Sequence, residues 1–179
     1  MLIGVDLDKI RRSVVDFAMS LTIALTQTTL ESLDLQPALN VLTPLGEGQD
    51  LLTHEQQLTF TIDYPRDPLD PRELSEIPEV RLWFLRLDAR YPWLPLLLDW
   101  KAGELARYTA MLVPHQFHPT DGILYNPEAL EIFVMQKIFT LSDWFQRQGV
   151  SGTHRLKHMT KLLGYELDDG LFALLGSDR

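Results

Sequence analysis

The chain has 179 residues, no cysteine, and 25 acidic against 16 basic residues, for a formal charge of −9. The lack of cysteine excludes disulfides, thiolate zinc sites, cysteine-ligated iron–sulfur clusters and a cysteine nucleophile. The acidic balance argues against generic binding to nucleic-acid phosphates or anionic membranes, and 45% hydrophobic with 23% charged residues is the composition of an ordinary globular protein.

The N-terminal Met1-Leu2-Ile3-Gly4-Val5-Asp6, followed by Asp8, Lys9, Arg11 and Arg12, has the pattern of neither a signal peptide nor a transit peptide. Met19 is an alternative start. Residues 1–18 therefore read as an N-terminal extension and residues 19–179 as one domain. The most apolar stretch, Leu94–Trp100, is far shorter than the roughly 20 residues of a transmembrane helix.

Ser20–Thr26 alternates and is rich in β-branched residues, so it predicts a strand. Thr28 or Thr29 then caps a helix running to about Leu42, interrupted by Pro37. Pro44 and the Gly46–Gly48 pair mark a turn, without the lysine and spacing of a phosphate loop. Leu58–Tyr64 alternates cleanly and predicts the best strand of the chain. Pro65–Glu73, with three prolines and both signs of charge, is a stiff loop and a candidate contact surface.

Ser75 and Pro78 open a helix whose Val80, Phe84, Leu87 and Tyr91 share one face, with Glu79, Trp83, Arg86 and Arg90 beside it. Pro95–Asp99 reads as a buried strand, and Lys101–Leu112 as a helix burying Leu105, Tyr108 and Leu112. His115–His118 reads as loop. Asn126-Pro127-Glu128 starts a long helix with a stripe of Leu130, Val134, Ile138, Leu141 and Phe145, ended by Gly149. Ser151 or Thr153 begins another helix, closed by Gly164, and Asp168 caps a last short one. The expected fold is mixed α/β: a small sheet with strands mainly in residues 20–100, packed by helices, and a helical C-terminal part.

Chemistry-bearing clusters are sparse. His115, His118 and Asp121, with Asp99, would be the ligands of a small metal-dependent hydrolase. The two histidines lack the glutamate and the helix of a zinc-protease motif, however, so they read as polar loop histidines before they read as ligands. His154 and His158 make at most two ligands on a helix face. Asp99 and Asp168-Asp169 read as caps, and no nucleophile elbow is present. Trp83, Trp93 and Trp100, with Tyr91, Arg86 and Arg90, are the residue types of protein-binding hot spots. The same residues would serve equally as core aromatics.

Five blocks carry a resemblance: Phe60–Arg66, Pro71–Glu79, Leu87–Pro95, Met111–Phe117 and Tyr125–Leu130. Together they resemble the chlororespiratory reduction 6 family of cyanobacteria and chloroplasts, over about residues 20–175. The resemblance implies a non-catalytic assembly factor for the hydrophilic arm of the photosynthetic NAD(P)H dehydrogenase-like complex. Its implied partner is the iron–sulfur I subunit, which carries two four-iron clusters. The family has no established catalytic residues, so the resemblance implies none here, and no cofactor or metal is expected. A cytoplasmic protein of cyanobacterial type is expected, stromal in chloroplast relatives. The expected contact residues are Arg66, Arg72, Arg90, Tyr91, Trp93, His115 and Gln116.

Overall fold

The structure, a computed structural model, describes residues 20–46 and 49–177. The expected extension 1–18, the start at Met19 and Gly48 of the turn lie outside the described residues. Strand β1 (Leu21–Thr26) pairs in parallel with β2 (Leu58–Asp63), from Leu21↔Leu58 to Thr26↔Asp63. Its alternation buries Ile23 and Leu25. Two helices, α1 (Gln27–Glu31) and α2 (Gln36–Leu42), then a 3₁₀ turn at Thr43–Leu45 and α3 (Gln49–Leu52), make the crossover that parallel strands require.

The expected cap at Thr28 or Thr29 is corrected to Thr26. The Thr26 N–H donates to the Thr29 hydroxyl at 2.9 Å, and the Thr29 N–H donates back to the Thr26 hydroxyl at 3.4 Å. Pro37 does not interrupt a helix but sits in the first turn of α2, where its missing N–H costs nothing.

The strand expected at Pro95–Asp99 is also corrected. Leu94–Leu96 forms a 3₁₀ turn, and only Leu98 bridges to Leu58. Pro95 offers no ladder donor and fixes its own φ, so the run coils before it can pair. Its expected burial holds: Leu94, Leu96, Leu97 and Leu98 are all at 0% exposure. The sheet is thus two strands plus one bridge, with the Leu58 N–H donating to the Leu97 carbonyl at 2.7 Å.

Helix α4 (Pro78–Arg90) buries Val80, Trp83, Phe84 and Leu87. The Trp83 indole N–H reaches the Asp34 carbonyl at 2.6 Å, which explains how so large a polar ring is fully buried. Helix α5 (Glu104–Leu112) starts later than Lys101, because the Asp99 carboxylate first accepts from the Lys101 and Ala102 N–H groups and Gly103 takes φ 78°. Beyond it the sequence expectation of a loop is corrected to a hairpin, β3 (His115–His118) antiparallel to β4 (Gly122–Tyr125). Four-residue strands are too short for alternation to signal them.

Helix α6 (Pro127–Arg147) is capped as expected, the Asn126 side chain accepting from the Glu128 and Ala129 N–H groups at 3.0 and 3.2 Å. Helices α7 (Thr153–Leu162) and α8 (Asp169–Ser177) complete the described chain. The class is the expected mixed α/β, with a helical C-terminal part. One continuous apolar core runs from Ile23 to Met159. At its centre Phe84 meets Phe60, Trp83 and Tyr108 edge-on, at ring separations of 5.0, 5.1 and 5.8 Å.

Candidate functional site: surfaces around α4

The expected contact residues fall into three places, all reached from α4. At its C-terminal end, the Tyr91-Pro92-Trp93 turn stacks Tyr91 edge-on against Trp93 at 5.0 Å and holds the Arg90 guanidinium over the Tyr91 ring at 5.6 Å. These three residues line a cleft of about 590 Å³, closed opposite by Leu42 of α2 and by Trp144 and Gln148 at the end of α6. Tyr91 is buried and forms wall, whereas Trp93 and Trp144 are half-buried and Arg90 is exposed. The cleft therefore offers rings for an apolar group and one cation for a carboxylate.

Arg66 and Arg72 lie in the Pro65–Glu73 loop, which is bonded to itself. The Arg66 side chain donates to the Arg72 carbonyl, and Arg72 grips the Asp70 carboxylate at 2.8 Å. The Asp70 carboxyl, hydrogen-bonded by Arg72, is held down at about 2. Arg72 is thus committed within its own loop, which makes it a weaker contact cation than Arg90.

His115 and Gln116 lie on β3. His115 stacks on Tyr125 across the hairpin at 5.1 Å, and its Nδ1 is 3.4 Å from the Arg81 guanidinium of α4. Burial, then the Arg81 charge, pushes the His115 imidazole below its ordinary range, so it is neutral at pH 7. Gln116 is exposed. Arg81 and Arg90 are about 14 Å apart along the helix axis, so the expected residues do not form one patch.

The alternative reading, a metal site of His115, His118, Asp121 and Asp99, does not assemble among the described residues. His115 and His118 are an odd number of residues apart on one strand and point to opposite faces. His118 pairs with Asp121 at 3.0 Å in the open, and Asp99 caps the turn before α5. Among the described residues no group of three metal-ligating side chains converges. His154 and His158 are exposed on α7, His158 lying edge-on to Trp100 at 4.8 Å.

Two features escaped the sequence reading. One is a buried polar knot: Asp88 of α4 accepts from Lys137 of α6 and from the Tyr108 hydroxyl of α5. Burial, reinforced by the Asp88 charge, raises the Tyr108 phenol well above its ordinary value and keeps it a donor. The other is the outward face of α4. Pro78, Leu82, Leu85 and Ala89 are all exposed there, Leu82 at 53% and Leu85 at 44%. Their spacing of 4, 3 and 4 is a second apolar stripe, readable in the sequence but masked by the stronger buried one.

Among the described residues no helix is long and apolar enough to cross a membrane. No solved structure matches the chain. The family model described as chlororespiratory reduction 6 matches residues 25–174, and so spans the end of β1, all of β2, α4 with its cleft, the hairpin and nearly all of the C-terminal helices. The chain belongs to the chlororespiratory reduction 6 family.

Proposed function

We propose that the protein is a non-catalytic assembly factor for the hydrophilic arm of the photosynthetic NAD(P)H dehydrogenase-like complex, and that it binds the iron–sulfur I subunit before that subunit docks. The observation that carries the binding role is the cleft at the end of α4, where Arg90, Tyr91, Trp93 and Trp144 present rings and one cation together. Aromatic and arginine side chains at a concave site are the usual anchors of protein recognition. Family membership supports the connection to the complex. The absence of cysteine means that the chain holds no cluster through thiolates of its own, so its role is to shield or orient the client. It acts as a single domain of residues 19–179, in the cytoplasm of a cyanobacterium.

The test is capture of separately expressed I subunit on immobilised protein. Wild type retains it. Arg90→Glu with Trp93→Ala weakens retention at least tenfold while the circular dichroism spectrum stays that of the folded protein; Arg90→Glu alone weakens it at unchanged Tm. Retention by the variant equal to wild type removes the cleft as the contact. No retention by wild type removes the I subunit as the client.

A further inference from the structure

A helix lying on a core ordinarily turns polar residues to water. Helix α4 does not. Its inner face holds Val80, Trp83, Phe84 and Leu87, each at 0% exposure, and its outer face holds Leu82, Leu85 and Ala89 in the open. At 3.6 residues per turn this outer strip is bordered by Arg81 on one side and by Arg86 and Arg90 on the other. None of the three arginines meets a carboxylate among the described residues. Arg81 donates to the Ser75 carbonyl at 2.9 Å, Arg86 donates to the Leu33 carbonyl at 3.0 Å, and Arg90 lies over a ring. The one carboxylate of the same helix beside them, Asp88, is turned inward to Lys137 and Tyr108, while Glu79 sits in the first turn, away from Arg90. In a chain of charge −9 this sets three arginines, without an ion pair among the described residues, around an apolar strip, with Glu73 and Glu76 near only the Arg81 end.

We propose that the outward face of α4 is a docking strip for a partner-protein segment whose apolar residues are flanked by Asp or Glu. The inference rests on the protein-binding reading above and extends it from the cleft along the helix. Charge complementarity selects the occupant: apolar contacts cover Leu82 and Leu85, and flanking carboxylates meet the arginines that this chain leaves without acids. Charges act over about 8 Å in physiological salt, so the nearby arginines outweigh the acidity of the rest of the surface at contact. Residues 1–19 fit less well, since Lys9, Arg11 and Arg12 cancel Asp6, Asp8 and Asp16. A second copy, itself at −9, is repelled at long range. It does, however, carry Ile132 and Phe139 exposed beside Glu128 on α6, so it is a competitor the experiment must separate.

The experiment is photocrosslinking in cells that make the complex, with p-benzoylphenylalanine in place of Leu85 and, as control, in place of the exposed Ala106 on α5. Crosslinked peptides are identified by mass spectrometry. The expected result is an adduct from position 85, absent from 106, on another protein at an apolar segment bordered by Asp or Glu. Leu82→Ser with Leu85→Ser, and separately Arg86→Glu, should each weaken capture of that protein at least tenfold at unchanged Tm. An adduct with residues 1–19, an adduct with a second copy, equal adducts at 85 and 106, or no adduct overturns the proposal. So does undiminished capture by both variants. If the crosslinked protein is not the I subunit and wild type does not retain the I subunit, the strip stands and the client named above falls. If the crosslinked protein is the I subunit but wild type and strip variants capture it alike, the client stands and the strip falls.

Discussion

Asp88 shows how much one residue can decide. It sits on α4 between the buried and exposed faces, and its two oxygens bind Lys137 and Tyr108 from two other helices. Lys137 is only 2% exposed, so removing it strands a carboxylate in low-dielectric surroundings. Lys137→Met should cost about 3 kcal/mol in urea unfolding. Combined with Asp88→Leu it should cost less than the sum of the single changes, by about 1–3 kcal/mol. Strict additivity would show that the two do not act as a pair. A lysine inside an apolar helical stripe gives no sequence sign of burial, because its partner is 49 positions away. Asp70 behaves differently, lying at the surface, half-buried under the arginine that grips it. Its carboxyl lies at about 2 rather than 3.8. The folded-state value is depressed, so the Arg72 contact contributes above about pH 4 and is lost as the pH falls towards 2. Arg72→Ala should raise the Asp70 midpoint only part of the way towards 3.8, because the backbone N–H at position 72 still donates to its carboxylate, followed by NMR titration.

Elements were legible where their signals were local. Helix α6 announces itself by Asn126-Pro127-Glu128, and its cap closes as those residues dictate. Asn126→Ala should cost about 1 kcal/mol of stability. The junction of α6 and α7 is a packing question instead. Gly152 has an ordinary φ of −104°, yet a Cβ there would overlap the buried Phe145 ring. Gly149 has φ +66° but open space around it. Gly152→Ala should therefore lose about 2 kcal/mol through overpacking, and Gly149→Ala only about 1 kcal/mol through backbone strain. Thermal unfolding of the two variants checks the order, and the reverse order would mean that Phe145 moves aside freely. The Pro95–Asp99 segment is buried as its apolar run predicts but coils instead of forming the expected strand, since a short apolar run carries burial but no period. The hairpin of β3 and β4 was missed for the same reason of length.

For the whole molecule, one core joins β1, β2 and the helices packed on them. A chain built this way should unfold as a unit, with far-ultraviolet dichroism and tryptophan fluorescence following one transition. Separate midpoints would reveal an independent part. Of the contact residues, Arg90, Tyr91 and Trp93 were legible as a group because they are neighbours in sequence. Their separation from His115, the commitment of Arg72 to Asp70, and the part of Trp144 in the cleft were not. The sequence by itself determined the strands at Leu21–Thr26 and Leu58–Asp63, the buried faces of α4 and α6, the Asn126 cap, and the family blocks. Each depends on residues within a few positions of one another, where period and hydrogen-bonding chemistry suffice. Only the tertiary structure decided that β1 meets β2 across 37 positions, that Asp88 turns inward, and that Leu82 and Leu85 stay in water between arginines. Those outcomes are choices between surfaces with the same local pattern. They are settled by which remote segments bury their apolar area and satisfy their polar groups together.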